Sequence, residues 1–171
     1  MGQVKYDYPP LLAPGRHYMS LAQIGSLCVR NFGRGAPSWE GRQILFLSLE
    51  GFVQTVLGAH IRCDLYIDGS FLTRKPNPDD VDVIVTIDHA IYETLSEEQM
   101  QVLELINSDH FAPNVDATAW VAYPREHEHH GSALDGSQVV EAYGIEHSQE
   151  WLKGFAVVKL WESDVGHLIC R

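Results

Sequence analysis

The sequence predicts an α+β fold in which a mixed β-sheet of about four to five strands is covered by helices. Two observations carry this. Apolar residues recur at helical spacing over residues 20–33 and 39–60, then at alternate positions over 63–70 and 80–87. A further helical pattern over 94–107 precedes two more strand-like runs, at 114–123 and 151–161. Helices before and between strands in this order pack onto a single sheet. A length of 171 residues suits one domain, so residues 1–171 are read as one unit.

Residues 1–19 hold three prolines and little periodicity, and read as an extended N-terminal arm. Ser20 and Gln23 fit a capping box, and Leu21, Ile24, Leu27, Cys28 and Phe32 follow at helical spacing until Gly33 and Gly35. Pro37 and Ser38 can start the next helix. Its apolar positions, Ile44, Leu45, Leu47, Phe52, Val53, Val56 and Leu57, predict a wide buried face. "CDLYIDGS" is a strand, which "FLTRKPNP" cannot continue because Pro76 and Pro78 remove ladder donors. In "DVDVIVTI", Val81, Val83, Val85 and Ile87 share one face, and Asp80, Asp82, Ile84 and Thr86 the other. Ser96 and Gln99 form a second capping box, ahead of a buried stripe of Met100, Leu103 and Ile106. "NVDATAWVAY" and "WLKGFAVVKLW" are the remaining strands, and residues 124–150 between them are polar.

Composition narrows the function. The chain carries 23 acids against 12 bases, a net charge of −11. Duplex nucleic acid is gripped by a basic face, so a broad nucleic-acid surface is not expected. A small phosphate-bearing substrate held through a divalent cation remains compatible. No apolar run reaches the ~20 residues of a membrane span. "MGQVKYDYPPLLAPG" lacks the features of a signal peptide, and position 6 is Tyr where a myristoylation signal wants Ser or Thr. A cytoplasmic protein without membrane contact is expected. Cys28, Cys63 and Cys170 form no C-x-x-C pair and read as free, mostly buried thiols.

The chemistry-bearing feature is the crowding of Asp79, Asp80 and Asp82 at the head of an apolar strand. Asp80 and Asp82 are in phase, so their carboxylates project from one face with Cα atoms roughly 6.5–7 Å apart. Such a pair binds hard divalent cations through oxygen. Mg²⁺ suits it, because it retains waters and takes one or two carboxylates plus substrate phosphates; Mn²⁺ is the alternative. A third acid completes such a site, and Asp116 on the next strand is the candidate. Gly69 lets a backbone approach a phosphate closely, and the Ser70 hydroxyl and neighbouring N–H groups can donate to it. Arg74 and Lys75 lie in the loop that follows.

"IDGS" at 67–70, nine residues, then "DVDV" at 80–83 resembles the motif of the nucleotidyltransferase superfamily named after DNA polymerase beta. That motif is a hydrophobic residue, Gly, Gly or Ser, a spacer, then Asp-hydrophobic-Asp/Glu-hydrophobic, with a third acid on a later strand, here Asp116. With "LLAPGRHYMSL" and "WLKGFAVVKLW", the chain is similar to small bacterial nucleotidyltransferase-like proteins of the minimal type. The resemblance implies a nucleotidyltransferase fold and a metal site of Asp80, Asp82 and Asp116 that is also catalytic. Gly69, Ser70, Arg74 and Lys75 would bind the nucleotide. The implied reaction moves a nucleoside monophosphate from a triphosphate to a hydroxyl of a protein, RNA or nucleotide. Toxin–antitoxin and antiviral systems use such proteins, so a toxin or defence-system partner is also implied. The chain departs from the pattern at Asp68, an acid before the glycine, and no helical nucleotide-binding domain is evident after Asp116.

Plainer readings stand beside these. Asp80 and Asp82 can be a solvated strand end, Ser70 a turn residue, Asp116 a surface acid, and Arg74 and Lys75 solvated loop charges. Lys153 reads as structural. "REHEHHG", with His127, His129 and His130, reads as a mobile polar loop rather than a zinc site, because zinc ligands need a defined fold around them. Trp39, Trp120, Trp151 and Trp161 read as packing residues. The alternative function is a catalytically inactive, antitoxin-like module that binds a protein partner. A metal-dependent phosphohydrolase is a third.

Overall fold

In the computed structural model, the structure describes residues 8–108, 111–141, 143 and 153–161. The sheet has five strands: β1 (Gly15–Tyr18), β2 (Asp64–Asp68), β3 (Val81–Asp88), β4 (Val115–Ala122) and β5 (Gly154–Lys159), in the spatial order β1-β5-β2-β3-β4. It is mixed. β1 runs parallel to β5 and β3 parallel to β4, while β2 is antiparallel to both neighbours. A parallel pair needs a crossover. Helices α3 (His89–Tyr92) and α4 (Glu97–Ile106) supply it between β3 and β4. The fold is therefore α+β with a mixed open sheet, as expected.

The arm departs from expectation. Its last residues form β1 at the sheet edge, and Pro9 to Leu11 bond to the segment after β2: the Arg74 N–H donates to the Pro9 carbonyl and the Leu11 N–H to the Leu72 carbonyl, both at 2.9 Å. The first seven residues of the arm, Trp151 and Leu152 of the expected last strand, and Cys170 lie outside the described residues.

Helix α1 (Leu21–Cys28) begins at the Ser20–Gln23 capping box and α4 at the Ser96–Gln99 box, each with both reciprocal bonds made. Between them runs the long helix α2 (Trp39–Gly58), whose preceding Ser38 makes no side-chain capping bond. Its buried residues, Arg42, Leu45, Phe46, Leu49, Phe52, Val53 and Val56, trace one 3.6-residue stripe. Ile44 and Leu47 fall off that stripe and are half exposed, at 56% and 50%, so the predicted apolar face is narrower. Gly25 lets α1 and α2 meet closely, since a Cβ there would lie 2.7 Å from the Phe46 ring.

One face of the sheet buries Val81, Val83, Val85 and Ile87 beneath α1, α2 and α4. On the other, Tyr66, Ile84, Phe155 and Val157 pack with Val140 of the short helix α5 (Gly136–Glu141). Among the described residues this second layer is the thinner of the two, and Asp80 and Asp82 at the head of β3 are half-buried. Among the described residues, no helix is long and apolar enough to cross a membrane.

Candidate functional site

β2 and β3 pair with Asp68 opposite Asp82, and β3 and β4 pair with Asp82 opposite Asp116. Residues directly opposite share a face, so three carboxylates line up across three neighbouring strands. Asp80, one residue ahead of β3, is in phase with Asp82. The structure thus brings Asp80, Asp82 and Asp116 together and adds Asp68. The signal for Asp68 was in the sequence: an antiparallel return from "IDGS" to "DVDV" can set the two aspartates opposite each other.

The row is electrostatically strained at its centre. Burial, followed by the charges of Asp80, Asp68 and Asp116, pushes the Asp82 carboxyl up to about 6, with Lys153 pulling it back. Lys153 lies just ahead of β5, and its Nζ is 2.9 Å from Asp68 Oδ2, both side chains largely buried. Tyr143 faces the same acids: burial and then Asp82, Asp68 and Asp116 hold its hydroxyl above the usual phenol range. Neither Lys153 nor Tyr143 was picked out by motif, because each reaches the row from a separate part of the chain.

Gly69 has a second reason to be glycine. Its φ is 78°, and a Cβ there would fall onto Asp82 Oδ2. The space a side chain would take is filled by the central carboxylate. Ser70 opens a short 3₁₀ turn, Ser70–Leu72, and its carbonyl accepts from the Thr73 hydroxyl at 2.8 Å.

The following loop is held from beneath by Arg42, which the sequence reading passed over. Fully buried in α2, its guanidinium donates to the carbonyls of Cys28 (3.1 Å), Phe71 (2.8 Å), Thr73 (2.6 Å) and Lys75 (2.7 Å), and lies 3.7 Å from the Phe32 ring centroid. Carbonyl partners leave no trace in a sequence pattern. Above this clamp Arg74 is exposed. Lys75 is committed to Asp79, Nζ to Oδ2 at 2.6 Å, so the third acid of the crowded stretch belongs to the loop.

An open cleft of about 380 Å³ wraps the outer edge of β4. Asp80, Asn107, Ser108, Asn114, Asp116 and Thr118 line its polar side, so it runs up to two acids of the row. Asn107 closes the edge at one point by accepting from the Ala119 N–H at 2.7 Å.

Does a divalent cation fit? The donors are carboxylate oxygens, which suit Mg²⁺ or Mn²⁺, and the raised Asp82 carboxyl marks a surplus of negative charge that a cation would relieve. The acids nevertheless lie in a row rather than around a point. Among the described residues, no group of three or more His, Cys, Asp or Glu side chains is placed to hold a metal ion. The fit is one of donor chemistry and charge.

Other candidates sort themselves. The "REHEHHG" segment, expected as a mobile loop, is built into the fold. Asp135, with no accessible surface, accepts from the N–H groups of Tyr123 (3.3 Å), Gly131 (2.9 Å) and Ser137 (3.1 Å) and from the Ser137 hydroxyl (2.7 Å). The His127 ring stacks on Tyr123 at 4.6 Å and lies 4.4 Å from His89. Cys28 and Cys63 are free and buried, and burial pushes both thiols up, Cys28 to about 12, which leaves them unreactive. Trp39 and Trp120 pack against the cores, while Trp161 is half exposed beside His60.

No curated protein and no solved structure matches the chain. A model of a family of unknown function, DUF6932, matches residues 4–159, and the chain belongs to that family.

Proposed function

We propose that the protein is a divalent-cation-dependent nucleotidyltransferase with a nucleotidyltransferase fold. The observation that carries this reading is the cross-strand register of Asp82 with Asp116 and Asp68, set against Gly69 at the end of β2. Like-charged side chains placed directly opposite destabilise a sheet, and a cation-binding role gives that cost a purpose. Asp80, Asp82 and Asp116 would hold Mg²⁺ or Mn²⁺, which neutralises charge developing on the phosphates. Ser70 and the adjoining N–H groups hold the outer phosphates of a nucleoside triphosphate. An acceptor hydroxyl, on a protein, RNA or nucleotide in the β4 cleft, attacks the α-phosphorus in line. Its proton would pass to a carboxylate, Asp116 being the exposed one of the row, the bond to the β-phosphate oxygen breaks, and pyrophosphate leaves. Positioning and charge neutralisation supply the catalysis.

The test is incubation of the protein with α- and γ-labelled triphosphates of each base, Mg²⁺ or Mn²⁺, and cell extract. Transfer of the α-label alone is expected. No transfer with any base, or equal transfer by Asp82→Ala, would sink the reading.

A second reading has one observation in its favour, the absence of a converged ligand group among the described residues. In it the fold binds a protein partner, such as the toxin of a paired system, through its acidic surface. Calorimetry separates the two: tight association with a neighbouring gene's product without Mg²⁺-dependent nucleotide binding favours the second. Release of free phosphate in place of pyrophosphate points instead to a phosphohydrolase.

A further inference from the structure

We propose that the outer edge of β4 is a docking site for an extended polypeptide segment, one that alternates apolar and basic side chains and adds to the five-stranded sheet as a further strand. Such docking needs only the edge and its charge, whatever the acid row catalyses.

β4 is the last strand on its side of the sheet. In a parallel pair, the N–H and C=O of one residue face the neighbouring strand and those of the next face away. The Asn114 carbonyl accepts from the Val81 N–H, so the even-numbered residues face β3 and the odd-numbered ones face outward. Proteins cover such edges, and here three positions are covered. The Asn107 side chain accepts from the Ala119 N–H at 2.7 Å and donates to the Ala119 carbonyl at 3.4 Å. Val121 bridges to Asp135, whose carboxylate accepts from the Tyr123 N–H. At Ala117 the cover stops. Its N–H and C=O have no partner among the described residues, and the open cleft of about 380 Å³ lies against them.

Asn107 shows what this edge takes. Its side chain is an amide that meets the N–H and C=O of one residue together, as a peptide unit of a neighbouring strand does. A polypeptide backbone continues that pattern one step along, at Ala117. The walls of the cleft select its side chains. Phe111, Ala112, Val115 and Ala117 line it and pack on the main core, so one face of the added strand meets apolar surface. The other face meets Asp80, Asp116 and Thr118, with the residue opposite Asp116 on the same side as the acid row. A lysine or arginine there offsets the repulsion among the acids, and a glutamate adds to it. A second copy of the chain fits less well, because edge-to-edge pairing brings another Asp116 to the seam and joins two chains of net charge −11. A nucleic acid sets its phosphates against the same acids.

Fluorescence anisotropy and amide hydrogen exchange on the full chain test this. The probes are labelled short peptides in which valine or leucine alternates with lysine. A matched set has glutamate for lysine, and another is the lysine set N-methylated throughout, which keeps the charge and removes the backbone donors. Members of the lysine set should bind, and their glutamate and N-methylated counterparts should bind at least about tenfold more weakly, as expected for lost backbone hydrogen bonds. Saturating peptide should slow exchange at the Ala117 amide and change little at Thr118, which already faces β3. Ala117→Pro should lose binding as well; its N–H makes no ladder bond, and proline is tolerated at such edge positions. The N-methylated peptides make the same test on the unaltered protein. No binder in the lysine set, or equal binding by the N-methylated set, overturns the proposal. So does self-association that Ala117→Pro abolishes, since the occupant is then a second copy, and so does an RNA oligonucleotide that protects the Ala117 amide where the peptides do not.

Discussion

At Asp82 the main forces in this molecule meet. The carboxylate sits against the Cα of Gly69, between Asp68 and Asp116, with Asp80 two residues away. Its carboxyl is raised to about 6 from an ordinary 3.8. Between those pH values the folded chain keeps a proton that the unfolded chain has released. Stability from this group is therefore full below about 3.8 and is lost as pH rises through about 6. Asp82→Asn carries no charge to penalise, so it should be more stable than wild type near pH 8, by on the order of 1–3 kcal/mol. The gain should vanish near pH 4. Thermal melts of both proteins across pH check this, and an equal gain at both ends would contradict it. Gly69→Ala should cost about 2–4 kcal/mol, since it combines a positive φ with a collision on a buried carboxylate. Urea melts measure that. Asp80, Asp82 and Asp116 were legible because in-phase acids break an otherwise apolar alternation. Lys153 was not, because its partner Asp68 lies far away in sequence and no local spacing joins them.

At the scale of elements, two buried polar side chains hold segments that the sheet leaves free. Arg42 binds three carbonyls of the loop after β2, those of Phe71, Thr73 and Lys75, and that of Cys28 at the end of α1, and burial lowers its ordinary pKa. Arg42→Ala should cost about 3–5 kcal/mol, as removal of a buried, hydrogen-bonded charge does. Its effect on hydrogen exchange should centre on residues 71–75, and uniform loss of protection along α2 would contradict that. Asp135 does the same for the β4–α5 connection. Burial raises its carboxyl, but hydrogen bonds from Gly131, Ser137 and Tyr123 outweigh this and bring it down to about 2. Its stabilisation is thus full above the unfolded value of about 3.8 and is lost as pH falls toward 2. Asp135→Ala should cost about 2–4 kcal/mol at neutral pH, the price of several orphaned donors, and urea melts at pH 7 and pH 2.5 should show that cost shrinking. Helices α1 and α4 could be read from Ser20–Gln23 and Ser96–Gln99 because capping is local chemistry. Strand β1 could not, because four residues at a sheet edge with a proline beside them carry no alternation of their own. Nor could the exposure of Ile44 and Leu47, which are apolar but fall on the wrong side of the α2 stripe.

For the molecule as a whole, order along the chain becomes adjacency in the sheet. β5 comes last in sequence yet lies between β1 and β2, which carries Lys153 to the acids. The parallel β3–β4 crossover sets Asp116 beside Asp82. A net charge of −11 gathers part of its acid here, so divalent ions should stabilise the fold. Millimolar Mn²⁺ near pH 7.5 should raise the melting temperature of wild type by a few degrees, about 1 kcal/mol, and that of Asp82→Asn by less. Equal shifts would place the ion elsewhere. The strand-and-helix order was legible, but the insertion of β5 was not, since pairing between distant strands leaves no periodic mark.

The most direct measurement is a crystal structure with Mn²⁺ and a non-hydrolysable nucleoside triphosphate, using the anomalous signal of the metal. A peak is expected about 2.0–2.2 Å from carboxylate oxygens of Asp82 and of Asp80 or Asp116, with the outer phosphates against Gly69 and Ser70. A bound triphosphate elsewhere on the surface, or no anomalous peak along the acid row, would contradict it.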